Sequence, residues 1–92
     1  KAAEQGHLNA MFYTAAAYQS GTGVTKDFSA AVKWYEQAAN KGHAPAMYGL
    51  GSLYYNGLGV ERNDVIAETW INKSADAGFA LASEFLKQKF MK

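Results

Sequence analysis

His7 and His43 stand 36 residues apart, each directly after a glycine. Paired imidazoles first suggest a metal. A zinc site needs three or four converging Cys, His or carboxylate ligands. The chain has no cysteine, and no third ligand recurs alongside the two Gly-His pairs. The histidines therefore read as structural or hydrogen-bonding residues next to a helix-ending glycine, with no metal and no cofactor. Gly21-Thr22-Gly23 and Gly57-Leu58-Gly59 share only their glycines with phosphate loops, since no Lys-Ser pair follows and no strand precedes. The acids Glu4, Glu36, Glu61, Asp64, Glu68, Asp76 and Glu84 show no pairing suited to glycoside hydrolysis. No Ser/His/Asp set emerges from the spacing. No catalytic residue is assigned, and the chain is not expected to be an enzyme.

The same residues make sense as parts of a repeat. Ala2-Ala3-Glu4-Gln5-Gly6-His7-Leu8-Asn9-Ala10-Met11 returns as Ala38-Ala39-Asn40-Lys41-Gly42-His43-Ala44-Pro45-Ala46-Met47. A worn third copy runs from Ser74 to Ser83. Beyond the first copy, Tyr18, Gly21, Gly23, Val24, Ala31 and Trp34 match Tyr54, Gly57, Gly59, Val60, Ala67 and Trp70 without an insertion. A fixed period of this length marks a stacked helical array.

Composition narrows the function. Ninety-two residues make one domain at most. Net charge is +1 with acids and bases interspersed, which argues against a nucleic-acid or membrane-surface role, since those need a basic stripe. No apolar run approaches the roughly 20 residues that span a bilayer. Without cysteine there are no disulfides, and the core must stand without staples.

Each period divides into two helices. Lys1 to Gln5 reads as the last turn of a helix that begins before the sequence, with Gly6 stopping it in a left-handed cap. Asn9 to Ser20 follows, with Ala10, Met11, Thr14, Ala17 and Tyr18 on one face. Gly21 to Val24 reverses the chain, and Val24 is expected to plug the gap between helices. Asp27 caps Phe28 to Lys41 by accepting from free N–H groups. That helix buries Ala31, Trp34, Tyr35, Ala38 and Ala39. In the next period Pro45 sits in a first turn, where its missing N–H costs nothing. Ala46, Met47, Leu50, Leu53 and Tyr54 form the core stripe. Asn63 then caps Asp64 to Ala77, which buries Ala67, Trp70, Ile71 and Ala75. A fifth helix from Ala80 to about Lys89 buries Ala82, Phe85, Leu86 and Phe90. Its Lys87, Lys89 and Lys92 suit a helix C-terminus. Alanines let helices approach while Trp34 and Trp70 fill the space between them. The expected boundaries are 1–8 for the end of a preceding unit, 9–41 for unit one, 42–77 for unit two and 78–92 for a C-terminal capping helix.

The strings Ala38 to Ala46, then Leu50-Gly51-Ser52-Leu53-Tyr54 with Gly57, Gly59 and Val60, and Asp27, Ala31, Trp34, Tyr35, Ala38 and Ala39 together resemble the Sel1-like repeat family. These repeats are related to tetratricopeptide repeats, whose period of 34 is shorter. The resemblance covers nearly the whole chain. It implies an all-α fold, a right-handed α-solenoid of helix-turn-helix units. It also implies adaptor or scaffold roles in bacteria, with the periplasm or secretion favoured over the cytoplasm. Two departures stand out. Thr14-Ala15 replace the Leu-Gly of the pattern, a change expected to loosen unit one, and Ile71 replaces the aromatic after Trp70. Relatives linked to cell-wall fragments or β-lactams carry a disulfide in each unit, and this chain has none. Binding or hydrolysis of such ligands rests on the resemblance alone.

In this family the first helix of each unit lines the concave face. Carried onto this chain, that places Phe12, Tyr48 and Tyr55 as aromatic anchors for a protein or peptide partner. Asn9, Gln19, Ser52, Asn56 and Glu84 are the polar readers, and Leu81 and Gln88 extend the row. Tyrosine gives contact area at low entropy cost and adds a polar tip. The plainer reading is that these rings pack only against neighbouring helices. A second functional class is self-assembly, in which a copy docks end to end on an exposed end of the array.

Overall fold

The computed structural model describes residues 2–90, with side-chain surroundings for residues 6–89. Five helices follow one another: α1 (Ala2–Ser20), α2 (Phe28–Asn40), α3 (Ala44–Asn56), α4 (Asp64–Asp76) and α5 (Ala80–Phe90). No strand occurs among the described residues. Helices α1 and α2 form one hairpin and α3 and α4 a second, and each helix packs on the next in sequence. The chain is thus an all-α solenoid with a period of 36 residues.

The two hairpins are built by the same local chemistry. Asp27 accepts from the Ala30 N–H at 3.1 Å, and Asn63 from the Ile66 N–H at 3.0 Å. Each satisfies a donor that the first helical turn leaves free. The loops are tied back identically: Asp27 N–H donates to the Tyr18 carbonyl at 2.9 Å and Asn63 N–H to that of Tyr54 at 3.0 Å. Between units, His43 N–H bonds the Ala38 carbonyl and Phe79 N–H the Ser74 carbonyl, both at 3.1 Å.

The first copy of the Ala-Ala-x-x-Gly-His string behaves differently. Helix α1 runs unbroken from Ala2 to Ser20, so Gly6 does not stop it. Gly42 and Gly78 have positive φ, and Gly6 does not. Gly42 is held in its turn because α2 folds back onto α3. The Ala-Ala-Glu-Gln run before Gly6 favours helix strongly enough to carry one glycine. The expectations placed on Lys1, Lys92 and the burial of Phe90 lie outside the described residues.

The core holds Leu8, Met11, Ala15, Ala31, Val32, Tyr35, Ala38, Ala39, Ala46, Leu50 and Leu53. Ala67, Ile71, Ser74 and Ala82 are buried too. Trp34 and Trp70 are only partly buried, and Lys73 Nζ lies 5.0 Å from the Trp70 ring centroid. The ring that fills the space between units is Tyr35. It crosses Gly49 so closely that a Cβ there would meet its Cε1 at 2.7 Å. Ala15, expected to loosen unit one, is fully buried. At its counterpart Gly51 a Cβ would meet Ile71 Cγ1 at 2.6 Å. Tyr35 holds the slot of Ile71 in unit one, and its ring lies on Gly49. Thr14 Oγ1 donates to the Ala10 carbonyl at 2.9 Å. Val24 plugs nothing and is 40% exposed. Its counterpart Val60 packs against the core, because the loop of unit two lies on the start of α2: a Cβ on Gly59 would meet the Phe28 carbonyl carbon at 2.5 Å.

Candidate functional site

Helices α1, α3 and α5 share one face, and the aromatic residues of that face recur at fixed slots. Phe12 lies against His43 with ring centroids 5.6 Å apart. Thirty-six residues on, Tyr48 lies against Phe79 at 5.8 Å with a similar tilt. His43 therefore does the work of an aromatic ring between two units. It is 6% exposed, and its Nε2 has no hydrogen-bond partner among the described residues. Burial holds its pKa below the usual histidine value, because the charged form would lose its water. No group of three or more His, Cys, Asp or Glu able to hold a metal occurs among the described residues.

Three openings run along this face. The first, about 240 Å³, is lined by Phe12, Gln19, Tyr35, Tyr48 and Ser52, with Phe79 and Leu81 also on its wall. The second, also about 240 Å³, lies between Tyr48, Leu81, Glu84, Phe85 and Gln88. The third, about 400 Å³, is bounded by Tyr55, Phe85, Gln88 and Lys89. Shared walls make them a continuous groove: Tyr48 and Leu81 join the first to the second, Phe85 and Gln88 the second to the third.

The structure brings Phe12, Gln19, Tyr48 and Ser52 together in the first opening. Glu84 stands in the second and Tyr55 in the third. Asn9 and Asn56 are exposed and line none of the three. Asn56 Nδ2 donates to the Ser52 carbonyl of its own helix at 2.9 Å. Each of the three rings also touches another ring. Phe12 meets Tyr35 at 5.7 Å, Tyr48 meets Phe85 at 6.4 Å and Tyr55 meets Phe85 at 5.5 Å. All three remain half-buried, so packing against neighbours uses only part of each.

The polar groups are partly engaged already. Tyr35 Oη donates to Gln19 Oε1 at 2.7 Å, which leaves both amide N–H donors of Gln19 free of that bond. Burial raises the Tyr35 pKa, so its hydroxyl stays a donor. Ser52 Oγ donates to the Gly49 carbonyl at 2.9 Å and keeps acceptor capacity. At the far end Lys89 Nζ pairs with Glu68 at 2.9 Å, a bond that raises the lysine pKa. Glu68 is thus engaged in an ion pair. The Arg62 guanidinium lies 5.3 Å from the Tyr55 centroid and pairs with Asp64 at 3.0 Å.

Sequence reasoning missed Phe79 and Lys89 as wall residues, along with the reach of Tyr35 to Gln19. Gly49 was a usable signal, because a glycine inside a helical pattern marks close approach by another group. Phe79, at the slot of His43, was another.

No helix among the described residues is long and apolar enough to cross a membrane. The Sel1 repeat model matches residues 8–43 and 44–79. The chain is similar to a solved Sel1 repeat protein from Oxalobacter formigenes, with 36% identity and a TM-score of 0.84. That match covers 88% of this chain and 61% of that one, so the chain spans about three fifths of its length. It is also similar to c5321, a protective antigen of uropathogenic Escherichia coli strains with an SLR fold. There identity is 38%, the TM-score 0.77, and coverage 84% of this chain and 16% of that one. No curated protein matches the sequence. Sel1 repeat proteins are generally protein-interaction modules and generally non-catalytic. With two consecutive units matched end to end over most of its length, the chain belongs to the Sel1 repeat family.

Proposed function

We propose that this chain is an adaptor-type module that binds a peptide or protein segment in the groove of α1, α3 and α5. The observation that carries this reading is the row of half-buried rings, Phe12, Tyr48 and Tyr55, beside three connected openings. Partly exposed aromatic rings in a concave setting are favoured anchors, because much of their area can still be desolvated. In this reading an apolar or aromatic side chain of the partner enters between Phe12 and Tyr48. The Gln19 amide donates to a partner carbonyl, and Ser52 and Glu84 accept from partner N–H groups. Asn9 and Asn56 contribute only at the rim. The groove of two units is short, so a single segment binds weakly.

The test is selection of peptides from a displayed library against the folded chain, followed by fluorescence anisotropy with Tyr48→Ala and Tyr55→Ala. Helicity of each variant is checked by circular dichroism. Loss of at least about tenfold in affinity for either variant is the result expected of an anchor. Selected peptides that bind both variants as tightly as the parent would place binding elsewhere and end the groove reading.

A further inference from the structure

Two tyrosines of α3 stand edge to face with the same ring of α5. Tyr55 meets Phe85 at 5.5 Å and 86°, and Tyr48 meets it at 6.4 Å and 74°. At the first pair the chain supplies its own cations. Lys89 Nζ lies 5.9 Å from the Tyr55 centroid and 2.9 Å from Glu68 Oε2. The Arg62 guanidinium lies 5.3 Å from the same centroid and pairs with Asp64 at 3.0 Å. Each cation is thus shared between an aromatic ring, whose quadrupole attracts positive charge, and a carboxylate.

The second opening of the groove also combines a ring pair with a carboxylate. Tyr48, Phe85 and Glu84 line it, together with Leu81 and Gln88. Both rings are half-buried and Glu84 is exposed. Glu84 makes no ion pair among the described residues. Lys87, three residues on in the same helix, lines none of the three openings, and Lys89 is held by Glu68. No lysine or arginine lies over Tyr48 or Phe85 among the described residues. Around Tyr55 acids and bases balance, whereas at Tyr48 the charge is a single acid.

We propose, on the footing of the groove reading, that the second opening takes a basic side chain of the partner segment, a lysine or an arginine. Its charged end lies against the Tyr48 and Phe85 rings and donates its N–H groups to the Glu84 carboxylate. Leu81, 59% exposed, covers the methylene stem, since long basic side chains bury their stems along apolar surface. Tyr48 and Leu81 are also walls of the first opening, whose lining holds no charged residue. An apolar residue of the same segment enters there. The partner is therefore a segment with a basic residue close in sequence to an apolar one. An acidic segment does not fit: it would meet Glu84 in the second opening, and Arg62 and Lys89 are already paired with acids.

Selection of a displayed peptide library against the folded chain, and in parallel against Glu84→Lys, tests this. Glu84 is exposed, so substitution there leaves the fold in place, as circular dichroism verifies. Binders of the parent are expected to carry lysine or arginine at one recurring position near an apolar residue. Binders of Glu84→Lys are expected to lose that preference. One peptide selected on the parent is then followed by fluorescence anisotropy. Glu84→Gln should weaken it about tenfold, and replacing its basic residue by methionine should do the same. The two changes together should cost no more than either alone. Parent binders without the basic position, Glu84→Lys binders that keep it, unchanged affinity in Glu84→Gln, or losses that add in full overturn the inference. Where such binders still weaken in Tyr48→Ala, the groove reading stands without it. Binders indifferent to both Tyr48→Ala and Tyr55→Ala, or a library that yields none, end both.

Discussion

Gly23→Ala and Gly59→Ala form a matched pair. The two glycines share a slot, a loop and a φ of +78°. An alanine at this φ costs about 1–2 kcal/mol for its crowded Cβ. It recovers about 0.4–1 kcal/mol by restricting the unfolded chain. Gly23→Ala, with open space around the new methyl, should therefore lose about 1 kcal/mol. Gly59→Ala bears the same backbone cost and also drives its methyl into the Phe28 carbonyl carbon and oxygen at 2.5 Å and the Ser29 nitrogen at 2.8 Å. Those are backbone atoms of a capped helix, and no rotamer change relieves them. The first turn of α2 must move by most of an ångström, an overpacking cost of about 1–3 kcal/mol. At about 4–8 °C per kcal/mol for a domain of this size, Gly59→Ala should melt at least about 4 °C below Gly23→Ala. Thermal unfolding of dilute samples, followed by far-UV circular dichroism, reads the difference. Equal melting temperatures would refute the argument, because they would mean that the loop of unit two does not rest on unit one.

Two further outcomes test the same junction. Gly49→Ala should cost about 1–3 kcal/mol by forcing the Tyr35 ring aside, and the cost should shrink in a Tyr35→Ala background; a double-mutant cycle by urea unfolding measures the coupling. Because burial lowers the His43 pKa below 6.5, protonation favours the unfolded chain. Stability should be level above pH 6.5 and fall as pH drops from there toward the lowered folded-state pKa. His43→Phe, which places at residue 43 the ring that Phe79 provides one unit later, should remove that acid limb, as urea midpoints at neutral and acid pH would reveal.

The period and the caps were legible because they are local. Asp27 and Asn63 each act within three residues of themselves, and a glycine-bracketed loop reads the same in both units. Partnership was not legible. Gly6 and Gly42 sit in near-identical strings, yet one lies inside a helix and the other ends one where α2 turns back onto α3. Val24 and Val60 likewise differ in what lies above them and not in their neighbours in sequence. The tryptophans misled through size, since ring area did not reveal that Tyr35 faces Gly49 while Trp34 stays at the edge. In the groove, spacing was enough to bring Phe12, Gln19, Tyr48 and Ser52 to one opening. It could not show that Gln19 is already held by the Tyr35 hydroxyl, a bond between residues 16 apart.

Each helix packs chiefly on its neighbours in sequence. No contact between distant parts of the chain has to form before local ones are rewarded, so the loop-closure barrier to folding is small. Cooperativity must then pass from unit to unit through the α2–α3 junction, as in a one-dimensional lattice. Amide protection should grade along the molecule, greatest near Tyr35 and Leu50 and falling toward α5. The groove follows that gradient: its α1–α3 end stands on the most persistent part of the chain, and its α5 end on the part that opens most often.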